Sequence, residues 1–259
     1  MSIYWLEQNA AHVPQHDRWL GEREMRHLNR LQIPKRRTDW RLGRWTAKQA
    51  VSAYLQLPRD TLSLRQIEII ADPSGAPAVF VRGELASLAI SLSHRSGVAA
   101  CCVTSAEHRI GCDIELAEPR SDAFVTDYFT VTEQNAISRS AAAAREVLVT
   151  ALWSAKESAL KALHLGLRLD TRCVSVCLDG DPAVDERNWF PLDSVPALQT
   201  GRPTVWRPLR AYLTDGQSLN GWWHFSDRFV RTVATSHPSA APVTMTSSNS
   251  QAETPAAMC

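Results

Sequence analysis

The amino-acid sequence predicts an α+β fold made of two half-domains, each a small sheet packed with helices. Helical and strand-like segments alternate along the chain, and the order of element types in the first half recurs in the second. The sequence Trp-Thr-Ala-Lys-Gln-Ala at 45–50 resembles Trp-Ser-Ala-Lys-Glu-Ser at 153–158, and Ser-His-Arg at 93–95 resembles Ser-Asp-Arg at 226–228. Such similarity indicates a duplication, although short matches also arise by chance between amphipathic helices.

The periodicity of apolar residues assigns the main elements in chain order. Residues 41–55 and 145–163 have helical periodicity, whereas 66–71 and 86–104 carry β-branched and apolar runs broken by turns. Four further strands are predicted at 173–178, 209–213, 222–225 and 230–235. We therefore divide the chain into an N-terminal half-domain (1–107), a C-terminal half-domain (108–236) and a disordered tail (237–259), whose residues from 240 onward are rich in Ser, Thr, Pro and Ala.

Composition excludes several classes of protein. The 28 basic and 27 acidic side chains nearly cancel, so no overall field favours sequence-independent binding of nucleic acid. No apolar run is long enough to span a bilayer, and the first residues lack the pattern of a signal peptide. We expect a cytoplasmic monomer that binds neither nucleic acid nor membrane, and whose six cysteines, none in a C-x-x-C arrangement, are reduced.

Two carboxylates lie close together in residues 109–115, which read as a buried strand. Alternation places Ile110, Cys112 and Ile114 on one face. Asp113 and Glu115 share the other face with Gly111, which we expect to leave room for a ligand. Neighbouring carboxylates repel unless a cation lies between them, and magnesium is the usual ion where phosphate is also bound. The alternative is a solvated pair, or one neutralised by arginines such as Arg109 and Arg120.

A third acidic residue lies on the helix at 145–163. Trp153, Glu157 and Lys161 are four residues apart and form one stripe. Leu152, Ala155, Ala159 and Leu163 can form its buried side. A Glu and a Lys at this spacing are also common on solvated helices, so the spacing alone leaves both interpretations open.

Together these segments resemble the signatures of the Sfp-type 4'-phosphopantetheinyl transferases. The family has G-[IV]-D-x-E and W-[SAT]-x-K-E-[SA]-x-x-K segments, which stand here at 111–115, with Cys112 in the aliphatic position, and at 153–161. Ser-Leu-Ser-His-Arg-Ser-Gly at 91–97 is similar to the family's S-x-S-H segment. The resemblance covers roughly residues 1–236. It implies half-domains related by a pseudo-twofold axis, with coenzyme A bound in the cleft between them.

The resemblance also implies an activity and its residues. The phosphopantetheine arm of coenzyme A would pass to a serine of an apo acyl or peptidyl carrier protein of fatty-acid, polyketide or nonribosomal-peptide biosynthesis, releasing adenosine 3',5'-bisphosphate. Asp113, Glu115 and Glu157 would hold Mg²⁺. Asp113, Glu157 and Lys161 would be catalytic, with Glu157 a metal ligand, a base or both. The segment 124–144 is a candidate docking element for the carrier, or else a flexible loop.

Coenzyme A carries phosphates, which basic side chains usually bind. Arg37, Arg41, Arg44 and Lys48 recur at spacings of three and four, so they can form one cationic stripe. The resemblance implies that this stripe holds the phosphates; the alternative is a solvated helix face. By resemblance, Ser93, His94 and Lys161 would contact coenzyme A as well. The family often has a basic residue in a G-[KR]-P turn, whereas this chain has Gly-Ala-Pro at 75–77, and the stripe could compensate for it.

Two other functions remain open from the sequence. One is a magnesium-dependent nucleotide hydrolase or phosphotransferase that uses the same carboxylates without a carrier protein. The other is a non-catalytic module that binds coenzyme A or the carrier. The full set of three acids and Lys161 argues against the second, because a protein that only binds has little physical need for clustered acids around a cation.

Overall fold

The computed structural model describes residues 1–178 and 205–246 and confirms the α+β class. The helices of this part are α1 (Glu22–Arg30), α2 (Pro34–Tyr54), α3 (Thr61–Arg65), α4 (Asp122–Tyr128), α5 (Val131–Arg139) and α6 (Ala142–Ala162). Its strands are β1 (Tyr4–Asn9), β2 (Ile67–Ala71), β3 (Pro77–Val81), β4 (Glu84–Leu85), β5 (Leu88–Arg95), β6 (Val98–Ser105), β7 (Ile110–Leu116), β8 (Val174–Leu178), β9 (Arg207–Leu213), β10 (Ser218–Ser226), β11 (Phe229–Thr235) and β12 (Val243–Thr244). Both long predicted helices are present.

The first half is built around α2 and a sheet with strand order β12-β1-β6-β5. Apolar side chains of the helix and the sheet are buried together, among them Leu6, Ala47, Val51, Cys101 and Val103. A separate sheet, β2-β3-β4, flanks this core. The helix α2 begins seven residues before the predicted start, at a proline, which is favourable in the first helical turn because its missing N–H has no partner there anyway.

The second half is built around α6 and a sheet with strand order β7-β11-β10-β9-β8, in which all neighbours are antiparallel. Leu152, Ala155 and Ala159 are buried on the helix face that contacts this sheet, as predicted. A Cβ atom added to Gly111 would lie 1.9 Å from the Ser158 carbonyl oxygen. The expectation that Gly111 leaves room for a ligand is therefore wrong, because the backbone of α6 fills that space.

The two sheets join through a third apolar cluster. Its members come from the N-terminal residues and strands β1, β6, β7 and β11: Ile3, Trp5, Ala100, Cys102, Ile110, Cys112, Ile114 and Val233. The predicted sharing of one face by Ile110, Cys112 and Ile114 is thus confirmed. Between the sheets, the Cys112 amide donates a hydrogen bond of 2.9 Å to the Ser91 hydroxyl. The predicted division at residue 107 falls in the turn between β6 and β7, and that division stays a prediction.

The beginning of the predicted tail is ordered. Strand β12 pairs in parallel with β1, and the Val243 and Met245 amides donate hydrogen bonds of 2.8 Å to the carbonyl oxygens of Ile3 and Trp5. The prediction of a disordered tail from residue 237 is therefore wrong as far as residue 246, because backbone pairing with an open sheet edge orders a segment of low intrinsic preference. The rest of the predicted tail lies outside the described residues.

Within residues 1–178 and 205–246, no helix has the length and apolar character needed to cross a bilayer. In this part of the chain Cys101, Cys102, Cys112 and Cys173 are free thiols, and all of these but Cys173 are buried.

Candidate active site

A cleft of about 520 Å³ lies where α2, β5 and the last turns of α6 meet. It is lined by Leu31, Arg36, Asp39, Trp40, Gly43, Arg44, Leu92, Ser93, His94 and Lys161. The first half of the chain supplies most of this lining, whereas Lys161 comes from the second. The predicted location between the halves therefore coincides with a cavity whose wall carries several cationic side chains.

Asp113 lies beside this cleft and is almost completely buried, with 3% of its surface exposed. Its Oδ1 atom accepts hydrogen bonds from Lys161 Nζ at 2.8 Å and from Ser93 Oγ at 2.7 Å. Its Oδ2 atom is buried without a hydrogen-bond partner. Buried carboxylate oxygens are normally satisfied, so this atom is available to a ligand.

Lys161 connects β7 with the end of α6. In addition to Asp113, its ammonium group donates to the Cys112 carbonyl oxygen at 3.0 Å. Burial works to lower the pKa of Lys161, but the Asp113 carboxylate and other negative groups nearby raise it above its ordinary value. Lys161 is therefore a fixed positive charge at the cleft.

Glu115 belongs to a network with two arginines. Its Oε2 atom lies 3.3 Å from Arg95 Nε and 3.7 Å from Arg120 Nη2, and both arginines also pair with Glu118. Burial, followed by the neighbouring Asp113 charge, raises the pKa of Glu115 against the influence of the arginines. The Oε2 atom accepts no hydrogen bond despite being buried. The predicted alternative, that an arginine neutralises this acid, is therefore present for Glu115 and Arg120. The pairing of Glu115 with Arg95 was not predicted.

Glu157 is half-buried on α6, one turn before Lys161. Burial raises its pKa above the ordinary value, and the Asp113 charge adds to this effect while Lys161 opposes it. That Glu157 lies with Asp113 at one site, as the helical stripe indicates, stays a prediction. The indole of Trp153, the first member of the stripe, packs against the rings of Phe124 and Tyr128 on α4, at 5.1 Å from each.

A ready-made metal site is not present in the described residues: no three His, Cys, Asp or Glu side chains there are arranged to hold an ion. Lys161 and Ser93 engage Asp113, and two arginines engage Glu115, so cationic side chains neutralise the acids. The donor chemistry nevertheless fits a hard divalent cation, since buried Asp113 Oδ2 and Glu115 Oε2 have no hydrogen-bond partners. Joint coordination by Asp113, Glu115 and Glu157 stays a prediction.

The predicted cationic stripe on α2 is wrong in three of its four members. The ammonium group of Lys48 is fully buried against Glu24 at 2.5 Å. The Arg37 guanidinium donates to the Leu28 carbonyl oxygen at 2.6 Å, and that of Arg41 donates to Asp17 at 2.7 Å and to the Pro14 carbonyl oxygen at 2.6 Å. These groups hold neighbouring segments of the protein in place and do not line the cleft.

A different face of α2 lines the cleft. Arg36, Trp40, Gly43 and Arg44 lie at positions i, i+4, i+7 and i+8, which share one helix face. Arg44 is the one predicted residue among them, and its guanidinium stacks over the Trp40 ring at 5.0 Å. The sequence contains both stripes, and their spacing does not show which of them faces the site.

The serine and histidine of the 91–97 segment differ in their roles. His94 is exposed at the edge of the cleft, where its ring can reach a ligand. Ser93 also lines the cleft, but its hydroxyl donates to Asp113. We therefore infer that Ser93 orients that carboxylate, and its predicted contact with coenzyme A is not supported.

A second cavity, of about 340 Å³, shares Arg44 and Lys161 with the cleft. Its lining includes the Gly-Ala-Pro turn at 75–77 and, from the second half, His164 and Gly166. The Arg168 guanidinium donates to the Ser74 carbonyl oxygen at 3.3 Å. Basic side chains of the second half therefore lie beside the Gly-Ala-Pro turn, which has no basic residue of its own.

Comparisons with known proteins support the resemblance. The family model described as "4'-phosphopantetheinyl transferase superfamily" matches residues 109–205. A holo-[acyl-carrier-protein] synthase of Streptococcus agalactiae serotype III (strain NEM316) is 30% identical over 93 residues, which are 36% of this chain and 78% of that relative. The chain belongs to the 4'-phosphopantetheinyl transferase superfamily. The synthase of the serotype V strain ATCC BAA-611 / 2603 V/R matches with the same values.

The matched part of this phosphopantetheinyl transferase contains Asp113, Glu115, Glu157 and Lys161, whereas α2 and its arginines lie before it. A solved structure of Helicobacter pylori holo-[acyl-carrier-protein] synthase in complex with coenzyme A is 25% identical and covers 40% of this chain and 98% of its own, with a TM-score of 0.29. Membership makes the chain an enzyme, a 4'-phosphopantetheinyl transferase, and thus disfavours the non-catalytic module.

Proposed function

We propose that this enzyme transfers 4'-phosphopantetheine from coenzyme A to a serine of an apo acyl or peptidyl carrier protein and releases adenosine 3',5'-bisphosphate, in a reaction that depends on Mg²⁺. The observation that carries the proposal is the Asp113–Lys161 pair beside a cleft lined with arginines. A hydrolase acting on other nucleotides would use similar acids, but family membership favours the transferase.

Coenzyme A is proposed to bind with its phosphates between α2 and Lys161. Arg36, Arg44 and His94 line this cleft together with Lys161, and guanidinium groups bind phosphate through paired, charge-assisted hydrogen bonds. The cavity beside the Gly-Ala-Pro turn shares Arg44 and Lys161 with the cleft, so it offers room for a further part of the same ligand.

The transfer needs a base for the serine and compensation of charge on the leaving group. The serine oxygen forms a bond to the β-phosphorus while the bond from that phosphorus to the bridging oxygen breaks, and the electron pair leaves with adenosine 3',5'-bisphosphate. Glu157 would accept the serine proton, and its raised pKa supports this role because it makes the carboxylate a better base than an ordinary one. Lys161 stabilises the negative charge that develops on the phosphates.

The acids would also serve a metal ion. Asp113 Oδ2 and Glu115 Oε2 are the oxygens without hydrogen-bond partners, and Glu157 is the third candidate ligand. Bound there, Mg²⁺ would neutralise charge on the pyrophosphate. Binding would require Glu115 to exchange its contacts with Arg95 and Arg120, which keep the acids compensated in the ligand-free enzyme.

The carrier protein is proposed to dock on α4 and the beginning of α5. Predicted segment 124–144 is helical apart from short connections, so the alternative of a flexible loop is wrong. Exposed Tyr128 and Val131 lie on it, and Phe124 and Tyr128 contact Trp153, one turn from Glu157. A serine on a protein docked there would lie near the acids.

Mass spectrometry of the carrier tests the proposed reaction. The enzyme is incubated with coenzyme A, Mg²⁺ and apo carriers from fatty-acid, polyketide and nonribosomal-peptide synthesis. We expect at least one carrier to gain the mass of phosphopantetheine, and a chelator to prevent the gain. Consumption of coenzyme A without modification of any carrier would instead support the hydrolase.

Substitution of two adjacent arginines tests whether coenzyme A binds in the cleft. Arg36→Ala is expected to weaken coenzyme A binding by about 10-fold to 100-fold, since a hydrogen bond to a charged group contributes about 1.5–3 kcal/mol. Arg37→Ala is the matched control, because its guanidinium donates to the carbonyl oxygens of Leu28 and Leu31 and Arg37 is not among the residues that line the cleft. Isothermal titration calorimetry measures both dissociation constants. Equal weakening by the two variants would contradict the assignment.

A further inference from the structure

Two lysines, one in each half of the chain, are fully buried in matching surroundings, although their side chains carry a charge. The Lys48 ammonium contacts Glu24 at 2.5 Å and donates to the carbonyl oxygens of Trp19 and Leu64 at 2.8 and 3.1 Å. The Lys156 ammonium contacts Glu133 at 2.8 Å and donates to the carbonyl oxygens of Thr171, at 2.9 Å, and Val174. Each ammonium therefore has three acceptors for its three protons.

The two glutamates match as well. Glu24 is the third residue of α1, and its carboxylate accepts from the Gly21 amide before the helix, at 3.0 Å, and from the Ile69 amide of β2, at 3.0 Å. Glu133 is the third residue of α5, and its carboxylate accepts in the same way from the amides of Thr130, at 2.8 Å, and Val176 in β8, at 2.9 Å. We call each Lys–Glu pair with its carbonyl and amide partners a buried lysine clamp.

A clamp fixes a long helix against a short helix and a strand. The repetition of so many specific contacts supports the duplication more strongly than the sequence matches do, since chance similarity of amphipathic helices would not reproduce a buried ion pair. The clamps also explain why the two related segments have a lysine at the same position, since the side chains of Lys48 and Lys156 both face the interior.

What differs between the halves is the stripe beside the clamp. Gln49 follows Lys48 on α2, whereas Glu157 follows Lys156 on α6, and Ala53 stands at the position that corresponds to Lys161. One residue further along a helix corresponds to a rotation of about 100°. The direction in which Glu157 and Lys161 point is therefore fixed by how α6 is rotated, and Lys156 holds that rotation.

We propose that Lys156 is a positioning residue: its clamp on Glu133 sets the rotation of α6 that presents Glu157 and Lys161 to Asp113. This inference rests on the proposed function. In the first half Gln49 stands where Glu157 stands in the second, so the clamp at Lys48 positions no catalytic acid; it holds α2, which supplies most of the cleft lining. The Lys156 ammonium contacts Glu133, the carbonyl oxygens of Thr171 and Val174 and the Phe129 ring, none of which lines the cleft, so its effect on the reaction is indirect.

The duplication offers a matched control. Lys156→Met with Glu133→Gln removes the C-terminal clamp without leaving an unpaired buried charge, and Lys48→Met with Glu24→Gln does the same in the first half. In the full chain we measure the melting temperature, kcat and KM for transfer, and binding of Mn²⁺, as a probe for Mg²⁺, by electron paramagnetic resonance.

We expect both double variants to melt at lower temperature, but only the C-terminal one to lose about 10-fold to 100-fold in kcat and in Mn²⁺ affinity, the usual effect of removing support behind a metal site. KM for coenzyme A should change little, because α2 supplies most of the cleft. Equal losses in both variants, or unchanged kcat and Mn²⁺ affinity in the C-terminal one, would overturn the proposal.

Two further outcomes are distinguishable. If the unmodified enzyme binds Mn²⁺ but modifies no carrier, the proposed function fails, and the role of the clamp is then judged by Mn²⁺ affinity alone. If the unmodified enzyme neither binds Mn²⁺ nor modifies a carrier, both proposals are overturned. If the C-terminal variant does not fold, Lys156→Leu with Glu133→Leu replaces it, matched by Lys48→Leu with Glu24→Leu. If both C-terminal double variants are unfolded while the matched N-terminal ones are folded, the clamp at Lys156 serves folding only, and the positioning role is overturned.

Discussion

Asp113→Asn is expected to reduce kcat/KM for carrier modification by about 10³-fold or more while the protein remains folded. Asparagine keeps the shape of the side chain and an oxygen for the Ser93 hydroxyl, but it removes the charge that Lys161 faces. It also weakens the oxygen ligand proposed for Mg²⁺. Charge stabilisation of several kcal/mol would be lost, and each 1.4 kcal/mol corresponds to about tenfold in rate. The mass of the carrier over time measures the effect.

Glu118→Gln is a suitable comparison for Asp113→Asn. Glu118 pairs with Arg95 and Arg120 in the same network but is not one of the three proposed ligands. We expect a change in rate of less than about tenfold for this variant, because these partly exposed ion pairs contribute little energy. Circular dichroism should show both variants folded. A rate for Asp113→Asn close to that of Glu118→Gln would remove Asp113 from the proposed mechanism.

The elements with strong periodicity were predictable from the sequence, and their ends were less so. The structure begins α6 at Ala142, three residues before the predicted start, because alanines extend a helix without contributing to an apolar pattern. The helix α5 was missed although Thr130 and Glu133 have the spacing of a capping box, a signal that was available. The strand β1 was missed because its stability comes from pairing with distant β6.

The structure pairs Asp113 with Lys161, but the other partners of the acids were not predicted. Alternation in β7 and the helical stripe of α6 predict that Asp113, Glu157 and Lys161 lie in one region, and for Glu157 this stays a prediction. The engagement of Glu115 by Arg95 depends on how the end of β5 lies beside β7, which no local pattern encodes. The same limit applies to α2, where two arginine stripes were equally compatible with the spacing, and only tertiary packing directs Arg36 into the cleft and Lys48 into the core.

Glu157→Gln is expected to abolish most transfer and at the same time to stabilise the ligand-free enzyme at neutral pH. Burial raises the pKa of Glu157 above its ordinary 4.5, with the Asp113 charge adding to the effect. The protonated form is therefore favoured in the folded state. The protonated Glu157 carboxyl stabilises the folded state fully at pH values below the pKa that it has in the unfolded chain. This stabilisation is lost as the pH rises through the pKa that it has in the folded state, so at neutral pH the ionised side chain opposes folding. Glutamine has the same shape without the charge.

The melting temperature should therefore be higher for Glu157→Gln than for the unmodified enzyme at neutral pH, and the difference should shrink as the pH falls toward 4.5. Glu146→Gln is the control, since Glu146 is exposed on the same helix. Transfer should fall by about 10²-fold to 10⁴-fold, the usual contribution of a general base. A destabilised variant would contradict the electrostatic argument, and a variant with full transfer would contradict the catalytic one.

The same variant separates the two roles left open for Glu157. If its carboxylate binds the metal, Glu157→Gln should weaken Mn²⁺ binding together with transfer, because an amide oxygen carries no net charge to attract the cation. If it acts only as a base, Mn²⁺ affinity should stay within about threefold while transfer is lost. In either case transfer by the unmodified enzyme should increase with pH through the raised pKa of Glu157, because only the ionised carboxylate can bind a cation or accept the serine proton.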